Sequence, residues 1–133
     1  MIIVSMIIIV ITDDERTEVI KRAASEAMKK NTVALNRAIS PSFENIILTC
    51  EQDDLIALDF RQKLLQTPQT TRCIEFIDYI RNIVEIEPSH LDTFLSILHK
   101  EGPLTSEVAK SVAKYCKYTI VIIIMMKVCS RWL

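Results

Sequence analysis

Few residue types in this chain could support catalysis, and they are widely spaced. A cysteine and a histidine can act as nucleophile and base, and the available pairs are Cys73 with His90 or His99. Cys73 falls on the apolar stripe of a predicted helix, where a thiol is usually inert core. Both histidines fall at polar helix ends, where they are expected to be solvent-exposed. We therefore expect no catalytic residues and no enzymatic activity.

The sequence also contains few residues that could bind a metal or a cofactor. The acidic pair Asp53-Asp54 could bind a hard cation, but no calcium-loop spacing surrounds it. The single glycine, Gly102, excludes the glycine-rich loops that hold phosphates and dinucleotides. We expect no metal and no cofactor, because no zinc-type spacing joins the four cysteines, Cys50, Cys73, Cys116 and Cys129. Three of them fall on apolar positions of helical patterns, which predicts buried, reduced thiols in a cytoplasmic protein.

Length and composition indicate one globular domain. The chain has 133 residues, of which 50% are hydrophobic and 25% charged. This is enough to build one core and keep a charged surface. The formal net charge of −1 provides no general attraction for nucleic acid, which we therefore exclude as a partner.

The two ends of the chain differ from its middle. Residues 1–11 (MIIVSMIIIVI) and 118–126 (YTIVIIIMM) are almost wholly apolar, and each is shorter than the roughly 20 residues that span a bilayer. Their Ile and Val content favours strands. They could pair as two strands beside a helical domain, seek a membrane, or be wrongly assigned exon ends without a role; the first and third are favoured. The predicted divisions are an apolar segment 1–12, a bundle 13–117, and an apolar and basic segment 118–133.

Apolar residues at helical spacing predict helices between these ends. Thr12-x-x-Glu15 is a capping box that begins the first of them. Short loops between helices of modest length favour an all-α, six-helix antiparallel bundle. The predicted segments are 13–39, as one kinked helix or two short ones, 42–50, 58–66, a helix after Thr67-Pro68, one from Pro88-Ser89 to Gly102, and one capped by Thr105 or Ser106.

Three stretches in the second half resemble a caspase-recruitment domain of the death-fold superfamily. They are TPQTTRCIEFIDYI (67–80), SHLDTFLSILHKEGP (89–103) and TSEVAKSVAK (105–114). In that family the fourth helix commonly opens with a Thr and a basic residue, as at Thr71-Arg72, before an aliphatic segment like residues 76–80. Its fifth helix commonly carries a Phe-Leu pair, as at Phe94-Leu95, before a Gly-containing turn. The resemblance covers about residues 13–117 and implies a death-fold bundle.

The resemblance also implies a function. Caspase-recruitment domains are non-catalytic modules that bind one another, so it implies an adaptor or regulator of apoptotic or innate-immune-type signalling. The expected partner is another death-fold protein containing such a domain, with self-association as a further possibility. The alternative is a small membrane-associated helical protein held by its apolar ends, although membrane contact is not favoured.

Contacts in this family commonly pair an acidic with a basic surface, and both can be matched in this chain. Residues 42–60 contain five acidic residues and no Lys or Arg. The expected acidic surface consists of Glu44, Glu51, Asp53, Asp54 and Asp59, and the expected basic surface of Lys21, Arg22, Arg37, Arg72 and Arg81.

Overall fold

The computed structural model describes residues 12–132, with the backbone alone at Trp132, and these residues are almost entirely helical. Only Asn31 separates the first two helices, so the described residues form six helical units and contain no strand. The predicted all-α bundle is confirmed, and the segment 13–39, predicted as one kinked helix or two short ones, contains two helices that meet at Asn31. The elements are α1 (Asp13–Lys30), α2 (Thr32–Ile39), a 3-10 turn (Ser40–Ser42), α3 (Phe43–Gln52), α4 (Leu58–Gln66), α5 (Gln69–Ile86), α6 (Ser89–Glu101) and α7 (Pro103–Trp132).

Local side-chain chemistry sets both ends of α1. At its start, the Glu15 amide donates to Thr12 Oγ1 over 3.1 Å, and the Thr12 amide donates to the Glu15 carboxylate over 3.4 Å. The predicted capping box is therefore present. At its end, the Asn31 side-chain amide donates to the Ala27 carbonyl over 2.8 Å, which satisfies a carbonyl at the bend into α2.

The main core is organised around α5. The rings of Phe43, Phe76 and Phe94 meet edge to face, with centroids 5.9 Å and 6.0 Å apart, and so join α3, α5 and α6. Burial of aliphatic side chains from α1 to α7 around these rings supplies the main driving force for folding. Fully buried members of this core include Met28, Leu35, Ile39, Ile46, Ile47, Leu64, Ile77, Ile80 and Leu98.

The last helix begins earlier than the sequence predicts. The predicted caps were Thr105 or Ser106, but α7 begins at Pro103, directly after Gly102 ends α6. Proline suits this first position because an N–H group there would have no acceptor within the helix, so its absence costs nothing. The Thr105 hydroxyl donates back to the Gly102 carbonyl over 3.0 Å, inside the first turn.

The prediction of a strand at 118–126 is wrong. These residues continue α7, which runs without a break through the predicted division at 117/118 to Trp132. The Thr119 hydroxyl donates to the Tyr115 carbonyl over 2.8 Å, a bond within the helix. Tertiary packing overrides β-propensity here, because the helix places Ile123 and Ile124 against Val19 of α1. The other apolar run, 1–11, lies outside the described residues.

Helices α1 and α7 run antiparallel, and their outer ends form a second, smaller core. Val19, Ile123 and Ile124 are buried there, separate from the main core, with Ile120 and Val128 packed against them. At the edge of this cluster, Arg131 pairs with Glu15, the residue that also caps α1. The hydrogen bond from Arg131 lowers the pKa of the Glu15 carboxyl from its ordinary 4.5 to about 2.

Candidate protein-interaction surfaces

Three of the acidic residues predicted for an interaction surface, Glu51, Asp53 and Asp54, lie at the C-terminal end of α3 or just beyond it. Asp54 has a φ of 60°, in the left-handed region. Its amide donates to the Glu51 carbonyl over 3.1 Å, and the Leu55 amide donates to the Cys50 carbonyl over 2.8 Å. This pair of bonds is the Schellman arrangement that ends many helices, in which glycine usually holds the left-handed position. The turn points the chain into the loop before α4 and buries Leu55 and Ile56.

Ion pairs within the chain divide the five predicted acidic residues into two groups. Glu51 pairs with Arg61 of α4 at 3.5 Å, and both side chains are largely buried. Glu44 lies 3.9 Å from Arg72 of α5. Among the described residues, none forms an ion pair with the remaining three side chains, which are all exposed: Asp53, Asp54 and Asp59.

Two exposed leucines lie on α3 and α4; Asp53 and Asp54 directly follow α3, and Asp59 lies in the first turn of α4. Leu48 of α3 is 37% exposed and Leu58 of α4 is 47% exposed. Because α3 and α4 pack against each other, the pair offers apolar side chains together with unpaired carboxylates. We call Leu48, Asp53, Asp54, Leu58 and Asp59 the α3–α4 surface.

Arg72, predicted for the basic surface, is held inside the fold. Its guanidinium lies 4.6 Å from the centre of the Phe43 ring, and only 14% of its side chain is exposed. It therefore joins α5 to α3 through a cation–π contact and its ion pair with Glu44. Beside it is an open cleft of about 610 Å³, crossed at one edge by a hydrogen bond of 2.9 Å from the Asn45 amide to Glu101. The structure thus brings Arg72 together with a member of the predicted acidic surface.

The other predicted basic residues lie on several parts of the molecule. Arg22 and Arg37 are exposed on α1 and α2. Lys21 lies 4.0 Å from Glu18, and Arg81 lies 3.7 Å from Asp78, each within its own helix. Two of them lie on opposite sides of α5, because Arg72 and Arg81 are nine residues apart and each residue turns the helix by about 100°.

The residues considered for catalysis have separate and unreactive surroundings. Burial raises the pKa of the Cys73 thiol, whose Sγ lies 3.8 Å from the Asn36 carbonyl oxygen. His99 Nδ1 instead lies 3.0 Å from the Ser106 hydroxyl. Burial raises the pKa of Cys50 further, to about 12. A high pKa keeps these thiols protonated and weakly nucleophilic. Within residues 12–132 no group of three or more His, Cys, Asp or Glu is placed to hold a metal ion.

Sequence reasoning missed an apolar surface on the outer half of α7. Five side chains there are between 39% and 66% exposed: Tyr118, Val121, Ile122, Met125 and Met126. We call these five residues the α7 face. Their spacing of three and four residues was visible in the sequence and is typical of one side of a helix. The Ile and Val content of the run instead favoured a strand, which would have hidden this pattern.

Comparisons with known proteins add nothing to these observations. The sequence matches no family model, and neither a curated protein nor a solved structure is similar to it. Of the helices in residues 12–132, none combines the length and hydropathy needed to cross a bilayer.

Proposed function

We propose that this chain is a non-catalytic protein-interaction module of the caspase-recruitment type. In this proposal the bundle is a six-helix antiparallel death fold in a cytoplasmic adaptor or regulator of apoptotic or innate-immune-type signalling. Its partner is another death-fold protein, or a second copy of this chain. The α3–α4 surface is the acidic side of the contact.

Asp54 carries this proposal. A non-glycine residue in the left-handed region costs about 1 kcal/mol, which glycine would avoid. An aspartate at this position keeps an exposed carboxylate at the expense of that strain. Backbone strain of this kind is concentrated at functional sites. The position of Asp54 next to Asp53, both without an ion pair in the described part of the chain, supports a role for their charge in recognition.

The composition of the α3–α4 surface matches the anatomy of a protein interface. Leu48 and Leu58 offer exposed apolar area, and the three aspartates of the same segment offer exposed charge. Charges at the rim of an interface mainly raise the association rate and fix the register of the partners. The expected partner surface is therefore basic with an apolar centre, and its binding weakens as salt rises.

In a contact between two copies, Arg22 and Arg37 are the best candidates for the basic side. Both are exposed, whereas Arg72 is largely buried against Phe43 and Glu44. In this proposal Arg72 supports the position of α3 relative to α5 and does not itself meet the partner.

Light scattering of the full chain against concentration, at low and high salt, tests this proposal. We expect oligomers at low salt that dissociate at high salt. Asp53→Lys should abolish them while leaving the fold intact, because a cation at the C-terminus of α3 suits the helix dipole. Glu87→Lys is the matched control: it makes the same charge change at an exposed C-cap residue of another helix, α5.

Two results would count against the proposal. Equal loss of association in Asp53→Lys and Glu87→Lys would show that net charge alone matters. A chain that is monomeric at every concentration, and binds none of a panel of purified death-fold domains, has no function of the proposed kind.

A further inference from the structure

The outer half of α7 is apolar on two opposite sides. One side, with Ile120, Ile123, Ile124 and Val128, packs on α1 around Val19. The other side is the α7 face, whose five residues recur at i, i+3, i+4, i+7 and i+8. At about 100° per residue they cover an arc of about 140°. Such an arc is broader than the narrow seam of a two-stranded coiled coil and suits a flat apolar contact.

The charges of α7 are all of one sign beyond its first turns. From residue 108 to the end, the sequence contains no Asp or Glu and five basic residues: Lys110, Lys114, Lys117, Lys127 and Arg131. Lys114 extends its ammonium group to 5.9 Å from the centre of the Tyr118 ring, so a cation lies directly beside the α7 face. Arg131 is paired with Glu15 of α1 and Lys110 with Glu107, so Lys114, Lys117 and Lys127 carry the remaining positive charge of the helix.

Two lysines favour an anionic occupant for the α7 face. At about 100° per residue, Lys114 and Lys117 lie within about 40° of Val121 around the helix, at one margin of the face, whereas Lys127 lies on the opposite side. Both marginal lysines are exposed, and neither forms an ion pair within residues 12–132. An anionic occupant would balance their charge.

The dimensions favour a helix that lies on a bilayer. The nine residues 118–126 rise about 13 Å along a helix axis, less than half of the roughly 30 Å of a hydrocarbon core. Contact with α1 also covers one side of this stretch. A broad apolar face with Lys and Tyr at its margin is the pattern of helices that lie in the lipid interface.

We propose that the α7 face docks on the surface of an anionic lipid bilayer. Val121, Ile122, Met125 and Met126 enter the boundary between head groups and acyl chains, and Tyr118 lies at the level of the head groups. Lys114 and Lys117 contact the anionic head groups, and the bundle remains outside the bilayer. This activity is separate from the proposed α3–α4 contact and does not depend on it.

Flotation of the full chain with vesicles tests the proposal. The probes are phosphatidylcholine vesicles and phosphatidylcholine vesicles with about 30% phosphatidylserine. We expect the chain to float with the anionic vesicles and to bind the neutral vesicles several-fold more weakly. The double variant Ile122→Glu, Met126→Glu should lose about tenfold or more in binding, because it places two carboxylates in the apolar boundary. Both side chains are more than half exposed, so the bundle should still fold.

The matched control is Val33→Glu, Ile86→Glu. It makes the same change of charge and hydropathy at two side chains that are 70% and 75% exposed on α2 and α5. We expect it to bind within about twofold of the unchanged chain, since neither residue belongs to the α7 face. Circular dichroism of both double variants checks that each retains its helical content.

Three outcomes would overturn the proposal. The first is that the unchanged chain does not float with anionic vesicles. The second is that the α7-face variant floats as well as the unchanged chain, which would assign binding to another part of the sequence. The third is that the variant dissociates an oligomer in solution while lipid has no effect, which would assign the α7 face to a protein contact.

Discussion

The inner and outer halves of α7 belong to one helix but have different surroundings. Val108, Ala109 and Val112 of the inner half are buried in the main core, where α1, α2 and α6 surround the helix. The outer half has a small cluster with α1 on one side and the exposed α7 face on the other. Similar apolar side chains therefore stabilise the bundle in one half and remain available for a partner in the other.

This difference shows that the hydrophobicity of a helical segment does not by itself predict which of its side chains are buried. Residues 118–126 are more apolar than most of the inner half, yet five of the nine are exposed. Burial depends on how many neighbouring helices reach a given turn. We expect the outer half to have lower local stability, because few buried contacts hold it.

The largest expected effect comes from matched isoleucine truncations in the two cores. Ile80→Ala, at a fully buried position in the main core, should lower the free energy of unfolding by about 4 kcal/mol. Ile123→Ala should cost only about 2 kcal/mol, since the two-helix cluster at its site can relax toward solvent. Urea denaturation measures both, and equal losses would remove the distinction between the cores.

A smaller effect is expected at the α3–α4 surface. Asp54→Gly should raise the free energy of unfolding by about 0.5–1 kcal/mol, because glycine holds a φ of 60° with less strain. The same variant should weaken the salt-sensitive self-association proposed above. Asp54→Asn is the control that separates the two effects, since asparagine tolerates the left-handed region but removes the charge. If Asp54→Gly raises stability and leaves association unchanged, Asp54 has no role in recognition.

The smallest effect is a pH dependence confined to the outer core. The Arg131 hydrogen bond lowers the pKa of Glu15 to about 2, so the pair contributes fully above about pH 4.5 and is lost as pH falls toward 2. Methyl resonances of Val19 and Ile123, followed by nuclear magnetic resonance, should shift with a midpoint near pH 2, the pKa of Glu15 in the folded protein. Glu15→Gln should remove this shift. A shift that persists in the variant would assign the titration to another group.

The sequence was sufficient to predict most helix boundaries in the bundle. Pro88 and Gly102 bracket α6, and Thr12 with Glu15 sets the start of α1, because these signals act through local backbone chemistry. The strand prediction at 118–126 failed because the choice between helix and strand depended on Val19, a residue a hundred positions away.

The candidate surfaces were less predictable than the helices. Composition identified residues 42–60 as acidic, but it could not show that Glu44 and Glu51 form ion pairs while Asp53 and Asp59 form none with residues 12–132. Glu44 meets Arg72 across 28 positions, and only the folded arrangement of α3 and α5 sets that pairing. Long-range contacts of this kind decide which charges remain available to a partner.

Amide hydrogen exchange along α7 of the full chain tests the contrast between its halves most directly. We expect slow exchange near the global limit at residues 108–116. At 118–128 we expect measurable protection but faster exchange, because the outer half opens locally without unfolding the bundle. Uniform protection along α7 would contradict the separation into two cores. Unprotected amides at 118–128 would contradict the packing of this helix on α1.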